Sequence, residues 1–233
     1  MGVNWGDLQP KAASEKITVQ KALAWAKTHQ EVIAASAIFI LLLGIGIPYY
    51  FHSKAQSEKE AMGVLNLGQW YLHSPIDPKN GPFKTPTERD QQALQTFQRI
   101  TNDFKGTHAA KIARFYTAKC QYSLRLYPQS YVSFDEASLE LKDVPMGAEA
   151  YLGKVFCLEA QNQWPQAATL LEAFLKDHPD SFLAPEIQLN LSDVYLKNQN
   201  KEKALEQLTQ VAQKYTDSNW GREAKRRLDK LKS

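Results

Sequence analysis

Three stretches decide the fold: Phe104-Lys-Gly-Thr-His-Ala-Ala110, His178-Pro-Asp-Ser-Phe-Leu-Ala184 and Tyr215-Thr-Asp-Ser-Asn-Trp-Gly221. Each runs from an aromatic through a turn to a Ser or Thr, with a small residue three positions later. The hydroxyl residue reads as the N-cap of a following helix, because its oxygen accepts from an otherwise unpaired first-turn amide. Phe104 and His178 stand 74 residues apart, twice 37, and His178 and Tyr215 stand 37 apart. A weaker junction, Val144-Pro145-Met146-Gly147, falls between them, 40 after the first and 34 before the second. Ala93, Ser133, Ala167 and Ala204 follow with offsets of 40, 34 and 37. Four residues after each comes Phe97, Ala137, Leu171 or Leu208, of which Ala137 is the departure. No segment beyond Lys54 holds a period-two alternation, so the repeating unit is a helix pair and the fold is all-α.

The residues inside the units resemble the tetratricopeptide repeat family. Leu191-Ser192-x-x-Tyr195, followed by Ala204, Leu208 and Val211, is similar to its signature with Ser in place of Gly. Leu67-Gly68-x-x-Tyr71 is similar to the first-helix part, but Ala93 comes about thirteen residues late. The surplus is His73–Arg89, which carries Pro75, Pro78, Pro82, Pro86 and Gly81 and reads as a proline-rich loop, residues 73–89. Trp164, Ala167 and Pro179 fit the second helix and the closing proline. The second repeat fits worst, with Ser130 and Ser133 where a small apolar residue is usual. The expected layout is a tetratricopeptide-like α-solenoid of about four helix pairs over residues 54–233, closed by a capping helix near 218–231. Arg222, Lys225, Arg226, Arg227, Lys230 and Lys232 suit that last helix to a solvated cap.

Before the repeats, Val32 to Phe51 form about twenty residues without a charge. At ~1.5 Å per residue such a helix crosses the ~30 Å hydrocarbon core of a bilayer. Residues 32–51 are therefore read as a transmembrane helix, with Tyr49 and Tyr50 at headgroup level. Residues 1–31 form a basic segment with a short helix. Lys11, Lys16, Lys21 and Lys27 precede the span and only Lys54 and Lys59 follow closely, which places the N-terminus in the cytoplasm and the repeats outside it. A cleaved signal peptide is the rival reading, with Ser53-Lys54-Ala55 as a weak cleavage site. No cysteine follows the run for lipid attachment, and Met1-Gly2 lacks the hydroxyl residue that myristoylation needs at position six.

This layout resembles the bacterial YfgM-like family, ancillary to the SecYEG translocon, on KALAWAKTHQEVIAASAIFILLLGIGIPYYFHSKAQSEKEA and on the order of segments. The resemblance implies a bacterial inner (cytoplasmic) membrane, a periplasmic repeat domain, and partners among the protein translocon or periplasmic chaperones. The junction pattern also resembles BamD-like outer-membrane assembly lipoproteins, against which the missing lipidated cysteine counts.

Chemistry is sparse. The net charge of +3 gives no concentrated basic face for nucleic acid. His29, His52, His73, His108 and His178 include no i,i+4 pair and sit beside no Cys or carboxylate at ligand spacing, so neither metal nor cofactor is expected. No phosphate loop is present; Gly44 and Gly46 lie in the span, and the sequon at Asn190 lies within an expected helix. Cys120 and Cys157, read as the seventh and tenth positions of successive first helices, diverge and stay reduced. The expectation is a non-enzymatic scaffold that binds protein partners on the concave face of its first helices. In register that face holds Tyr122, Arg125, Glu149, Phe156, Glu159, Glu186, Asp193 and Lys197. The alternative is an obligate structural subunit of a larger membrane complex, marked by large dry apolar surface.

Overall fold

The computed structural model describes residues 11–232. The reading of Met1-Gly2 and the first ten residues of the basic segment lie outside them. The chain divides into two compact units, Met1–Gln56 and Ser57–Ser233. The elements are α1 (Lys11–Thr28), α2 (Gln30–His73), α3 (Pro86–Asp103), α4 (His108–Ser123), α5 (Tyr127–Glu140), α6 (Pro145–Ala160), α7 (Trp164–Asp177), α8 (Ala184–Lys197), α9 (Lys201–Lys214) and α10 (Asn219–Lys232). Among the described residues there is no strand, and one isolated bridge joins Ile76 to Phe83. The fold is all-α, as the periodicity predicts.

In the first unit, α2 carries an apolar segment long enough to cross a membrane, none of it buried. Leu41, Leu42, Ile45, Tyr49 and Tyr50 are all exposed. A helix apolar on every side needs an apolar medium, either a protein core or lipid.

The second unit is a solenoid with an unbroken 37-residue period, and this corrects the 40 and 34 offsets read from sequence. The innermost positions of the second helices are Ala93, Phe97 and Ile100; Ser130, Phe134 and Ala137; Ala167, Leu171 and Phe174; and Ala204, Leu208 and Val211. Each row advances by 37, and none of the twelve is more than 7% exposed. Ser130 rather than Ser133 therefore fills the small-residue site of the second repeat. Its hydroxyl donates to the Ala118 carbonyl at 2.8 Å and accepts from the Cys157 thiol at 3.2 Å, so it is buried without an unpaired proton. Ala137 is no departure, since Phe134 stands where Phe97 and Leu171 stand.

The turns keep the same period. Phe104, Leu141, His178 and Tyr215 end the second helices, each amide bonded to a carbonyl four residues back. The amides of Thr107, Val144, Ser181 and Ser218 then return to those four residues' carbonyls at 3.0–3.2 Å. Within the repeats, Arg125, Asn162 and Gln199 take left-handed φ values of 63°, 57° and 61°. The next amide in each case reaches back five residues: Leu126 to Gln121, Gln163 to Leu158 and Asn200 to Tyr195. This Schellman geometry satisfies the last carbonyls of one helix and turns the chain into the next. In the first repeat the loop after α2 is ordered: the Asp77 amide donates to Phe83, and the buried Phe83 ring meets Tyr71 edge-on at 5.6 Å.

The core follows the repeats as four successive clusters. One joins α2, α3 and α4 around Phe97 and Ile100, a second α4 to α6 around Phe115 and Phe134, a third α6 to α9 around Leu171 and Ile187. The last holds Leu208 and Val211 against Ala224 and Leu228 of α10. Cys120 and Cys157 are both free and buried, as expected, but for a different reason. They occupy the same position in successive repeats, 37 apart, and belong to different clusters. Equivalent points on neighbouring packed helices lie about 8–10 Å apart, beyond disulfide reach.

Candidate binding groove on the first helices

The first helices α4, α6 and α8 line one face of the solenoid. On α4 it carries Phe115, Lys119 and Tyr122, and 37 residues on α6 carries Leu152, Phe156 and Glu159, with Phe115 and Leu152 buried beneath the others. Between α4 and α6 lies a pocket of about 190 Å³ lined by Phe115, Lys119, Tyr122, Phe134, Glu149, Gly153 and Phe156. Tyr122 is 37% exposed and Phe156 41%, a large share for aromatic residues outside a membrane. Tyr122 is held in place by the Tyr127 ring, 5.4 Å away at the start of α5. Lys119 spans the rim, 5.2 Å above the Phe115 ring and 3.8 Å from Glu149.

The repeat itself explains why a pocket opens here. Phe97 is wedged between its own first helix at Gly68 and the next one at Tyr116. A Cβ on Gly68 would come within 2.5 Å of the Phe97 ring, and Tyr116 stacks on its other side at 5.1 Å and 17°. One repeat on, the counterpart of Tyr116 is Gly153 and the flank on its own first helix is Ala118. The Phe134 ring leans on Gly153, where a Cβ would meet it at 2.6 Å. A ring between two first helices needs a glycine on one side, and with glycine on the far side no stacking ring covers it. The groove therefore reaches down to Phe134.

Beyond the pocket the face carries several carboxylates. Glu149, Glu186 and Glu223 form one row at 37-residue steps, while Glu159 and Asp193 lie ten and seven residues further along their own helices. Burial, and then the charge of Asp193, push the Glu159 carboxyl above its usual range. Asp193 is paired with Arg227 at 2.7 Å, and Arg226 and Arg227 both bond Glu223, holding it down to about 2. Glu159 and Glu186 have no ion pair among the described residues. On the other side of α4, Asp90 is buried with Arg89 at 2.8 Å and a hydrogen bond from Ser123. Burial there, followed by the charge of Asp90, pushes the Cys120 thiol up to about 12, which leaves it a poor nucleophile.

Of the residues expected on this face, Tyr122, Glu149 and Phe156 come together at the pocket, and Glu159 lies beside it and Asp193. Glu186 lies half-buried on α8, and Lys197 is its exposed last residue. Arg125 is elsewhere, exposed in the left-handed turn after α4. Tyr122 and Phe156 are 34 apart and occupy different register positions; Tyr122 matches Glu159, and Phe156 matches Lys119 and Asp193. Sequence reading missed Phe115, Lys119, Phe134 and Gly153. The first two were detectable, lying seven and three residues before Tyr122 on one helical face. Among the described residues no three His, Cys, Asp or Glu side chains converge as metal ligands.

Residues 158–228 match the tetratricopeptide repeat family model. No curated protein matches the chain. Among solved structures, the nearly identical TPR-like repeats assigned to a Podosopora anserina kinesin light chain superpose with a TM-score of 0.56 at 11% identity, covering 75% of this chain and 86% of that one. A point variant of the same protein gives 0.56 and 11%, covering 75% and 85%. At this identity the likeness fixes the fold alone: the second unit is a tetratricopeptide-like solenoid, a class that generally binds protein partners.

Proposed function

We propose that this protein is a membrane-tethered scaffold that captures polypeptide partners on its first-helix face and has no catalytic role of its own. One observation carries the reading: an aromatic pocket on a face otherwise built to be solvated, with Tyr122 and Phe156 exposed around it. Aromatic side chains around a concave pocket are the usual anchors of binding energy. The apolar run 32–51 serves as the tether, and lysine asymmetry puts the N-terminus in the cytoplasm and the repeats outside. Resemblance to the YfgM-like family supports an inner membrane, and partners among secretion machinery or periplasmic chaperones.

Photo-crosslinking in native membranes tests this. A photoreactive residue replaces Phe156 in the full-length protein, or Gln210 on a second helix as control. Mass spectrometry should identify discrete partners from Phe156 and few from Gln210. Crosslinks arising only from Gln210 would move the binding face to the second helices. An alkaline-phosphatase fusion after the last helix, active only outside the cytoplasm, should be active; a silent one would reverse the topology.

A further inference from the structure

The stack has two ends, and they differ. At the C-terminal end α10 carries Arg222, Lys225 and Arg226, the solvated surface that a terminal helix needs. The N-terminal end is α2, the first helix of the first repeat, and its outer side is apolar. Gly63, Leu67 and Trp70 follow one another at steps of four and three, so they form one stripe along the helix. Leu67 is 44% exposed and Trp70 55%, and a Cβ on Gly63 would meet nothing within 4 Å.

The later repeats identify this stripe. Gly68 flanks Phe97 as Ala118 flanks Phe134, so α2 aligns with α4 at an offset of 50 residues and with α6 at 87. Gly63, Leu67 and Trp70 then correspond to Ala113, Thr117 and Cys120 of α4, and to Ala150, Lys154 and Cys157 of α6. None of those six is more than 6% exposed, because the preceding repeat's second helix covers that side: α3 through Phe97 and Ile100, and α5 through Phe134 and Ala137. No second helix precedes α2. In the tether reading α1 comes before the span and lies across the bilayer from the stripe. The outer side of α2 is therefore a helix-packing surface without its helix, and an exposed apolar surface of that kind marks an interaction site.

The flanks say which helix fits. At about 100° per residue, Lys59 and Glu60 lie about 50° to either side of the stripe. A two-fold axis parallel to α2 sets opposite flanks against each other, so Lys59 of one copy faces Glu60 of the other, and the reverse. The stripe is thus complementary to itself in shape and charge, with Gly63 letting the two backbones approach. Gly63 also follows Phe51 by only twelve residues. Two copies in one membrane present the stripe in the same direction and at high effective concentration. That confinement matters, because two turns of helix bury less than the ~1,000 Å² of a stable free interface.

Resting on the tether reading above, we propose that α2 is a dimer interface: the Gly63–Leu67–Trp70 stripe packs in parallel against the same stripe of a second copy in the same membrane. The second copy supplies the helix that every later repeat receives from its predecessor.

The test is cysteine coupling of the full-length protein in native membranes. The natural Cys120 and Cys157 are buried and add little background. Under mild oxidation Gly63→Cys and Leu67→Cys should each give a disulfide-linked species of twice the chain's mass, at least about tenfold faster than Gln210→Cys on a second helix. Same-residue coupling at both positions requires the parallel two-fold arrangement. Trp70→Glu should slow coupling of Gly63→Cys by about tenfold or more, and Leu67→Glu is the second variant should Trp70→Glu melt early. Lys59→Glu should also slow it, and adding Glu60→Lys should restore it. A Gly63→Cys thiol that takes up a maleimide yet gives no dimer would overturn the second copy and leave the tether standing. Coupling mainly to a different protein would make the occupant a foreign helix and overturn it as well. Release of the protein from membranes by alkaline carbonate would overturn the tether itself.

Discussion

Phe97 and Phe134 show how one glycine decides between core and groove. Both rings need a glycine flank, Gly68 for the first and Gly153 for the second, but their freedom differs. Phe97 is fully buried and capped by Tyr116, so it has nowhere to go when a methyl group arrives. Gly68→Ala should therefore destabilise the second unit by about 1–3 kcal/mol from overpacking, less up to ~1 kcal/mol regained in helix propensity. Phe97→Leu, the side chain the later repeats use at Leu171 and Leu208, should restore much of the loss. Phe134 borders the pocket and can swing into it, so Gly153→Ala should change the urea midpoint little but fill the pocket and abolish peptide binding. A large loss of stability in Gly153→Ala with binding retained would show that the pocket does not reach the ring. None of this was legible in the sequence, because Tyr116 and Gly153 become equivalent only once the 37-residue register is fixed. The aromatic anchors Tyr122 and Phe156 were legible as exposed first-helix residues, although from a register three residues out.

That slip has a cause at the level of the helix and its caps. The junction at Leu141–Gly147 has neither an aromatic to mark the end of α5 nor a hydroxyl to mark the start of α6, so the neighbouring Val144-Pro145 was aligned one turn late. The backbone geometry there is nevertheless that of the other junctions, with Pro145 preorganising the first turn where a cap is missing. At Thr107 and Ser218 the hydroxyl accepts from an amide three residues on, each at 3.1 Å, whereas Val144 has no such bond. Thr107→Ala should cost about 0.5–2 kcal/mol, and Val144→Ser, at a 43% exposed position, should gain about 0.5–1 kcal/mol; urea titration followed by circular dichroism measures both. No gain from Val144→Ser would mean that Pro145 already satisfies that terminus. The first turn of α4 has a further support that no local motif announces. Glu58, fifty residues earlier on α2, accepts from the amides of His108 and Ala109 at 2.7 and 2.9 Å, a carboxylate at the positive end of the helix. The three left-handed turns were equally hidden, because Arg125, Asn162 and Gln199 hold them instead of glycine.

Across the second unit the repeats touch only their neighbours, and the four clusters run in series. The sequence announced this architecture well: a period near 37 and a polar closing helix are written in residue spacing, which local physics controls, although the proline-rich loop read as 73–89 covers only 74–85 between α2 and α3. The groove's charge pattern was hidden because it depends on which rows align across repeats. A serial solenoid makes a definite prediction about its end. Leu208, Val211 and Ala212 of α9 and Leu189 of α8 are buried largely against Ala224 and Leu228 of α10. The cap is fastened further by Arg227, which bonds Asp193 and the Leu189 carbonyl. Ending the chain after Asp217 exposes those four side chains, and Leu228→Ala, at an 8% exposed site, should cost about 2–4 kcal/mol by itself. In a nearest-neighbour system that loss stays local. Hydrogen exchange should show protection falling steeply over residues 181–217, modestly over 144–180, and hardly at all over 86–123, where Phe97 and Ile100 are packed by α2 and α4. The folded N-terminal repeats would then keep the aromatic pocket between α4 and α6, so the truncated chain should retain binding through Tyr122 and Phe156. Uniform loss of protection from 57 to 217 would instead make the unit one cooperative block, with the cap sustaining every repeat at once.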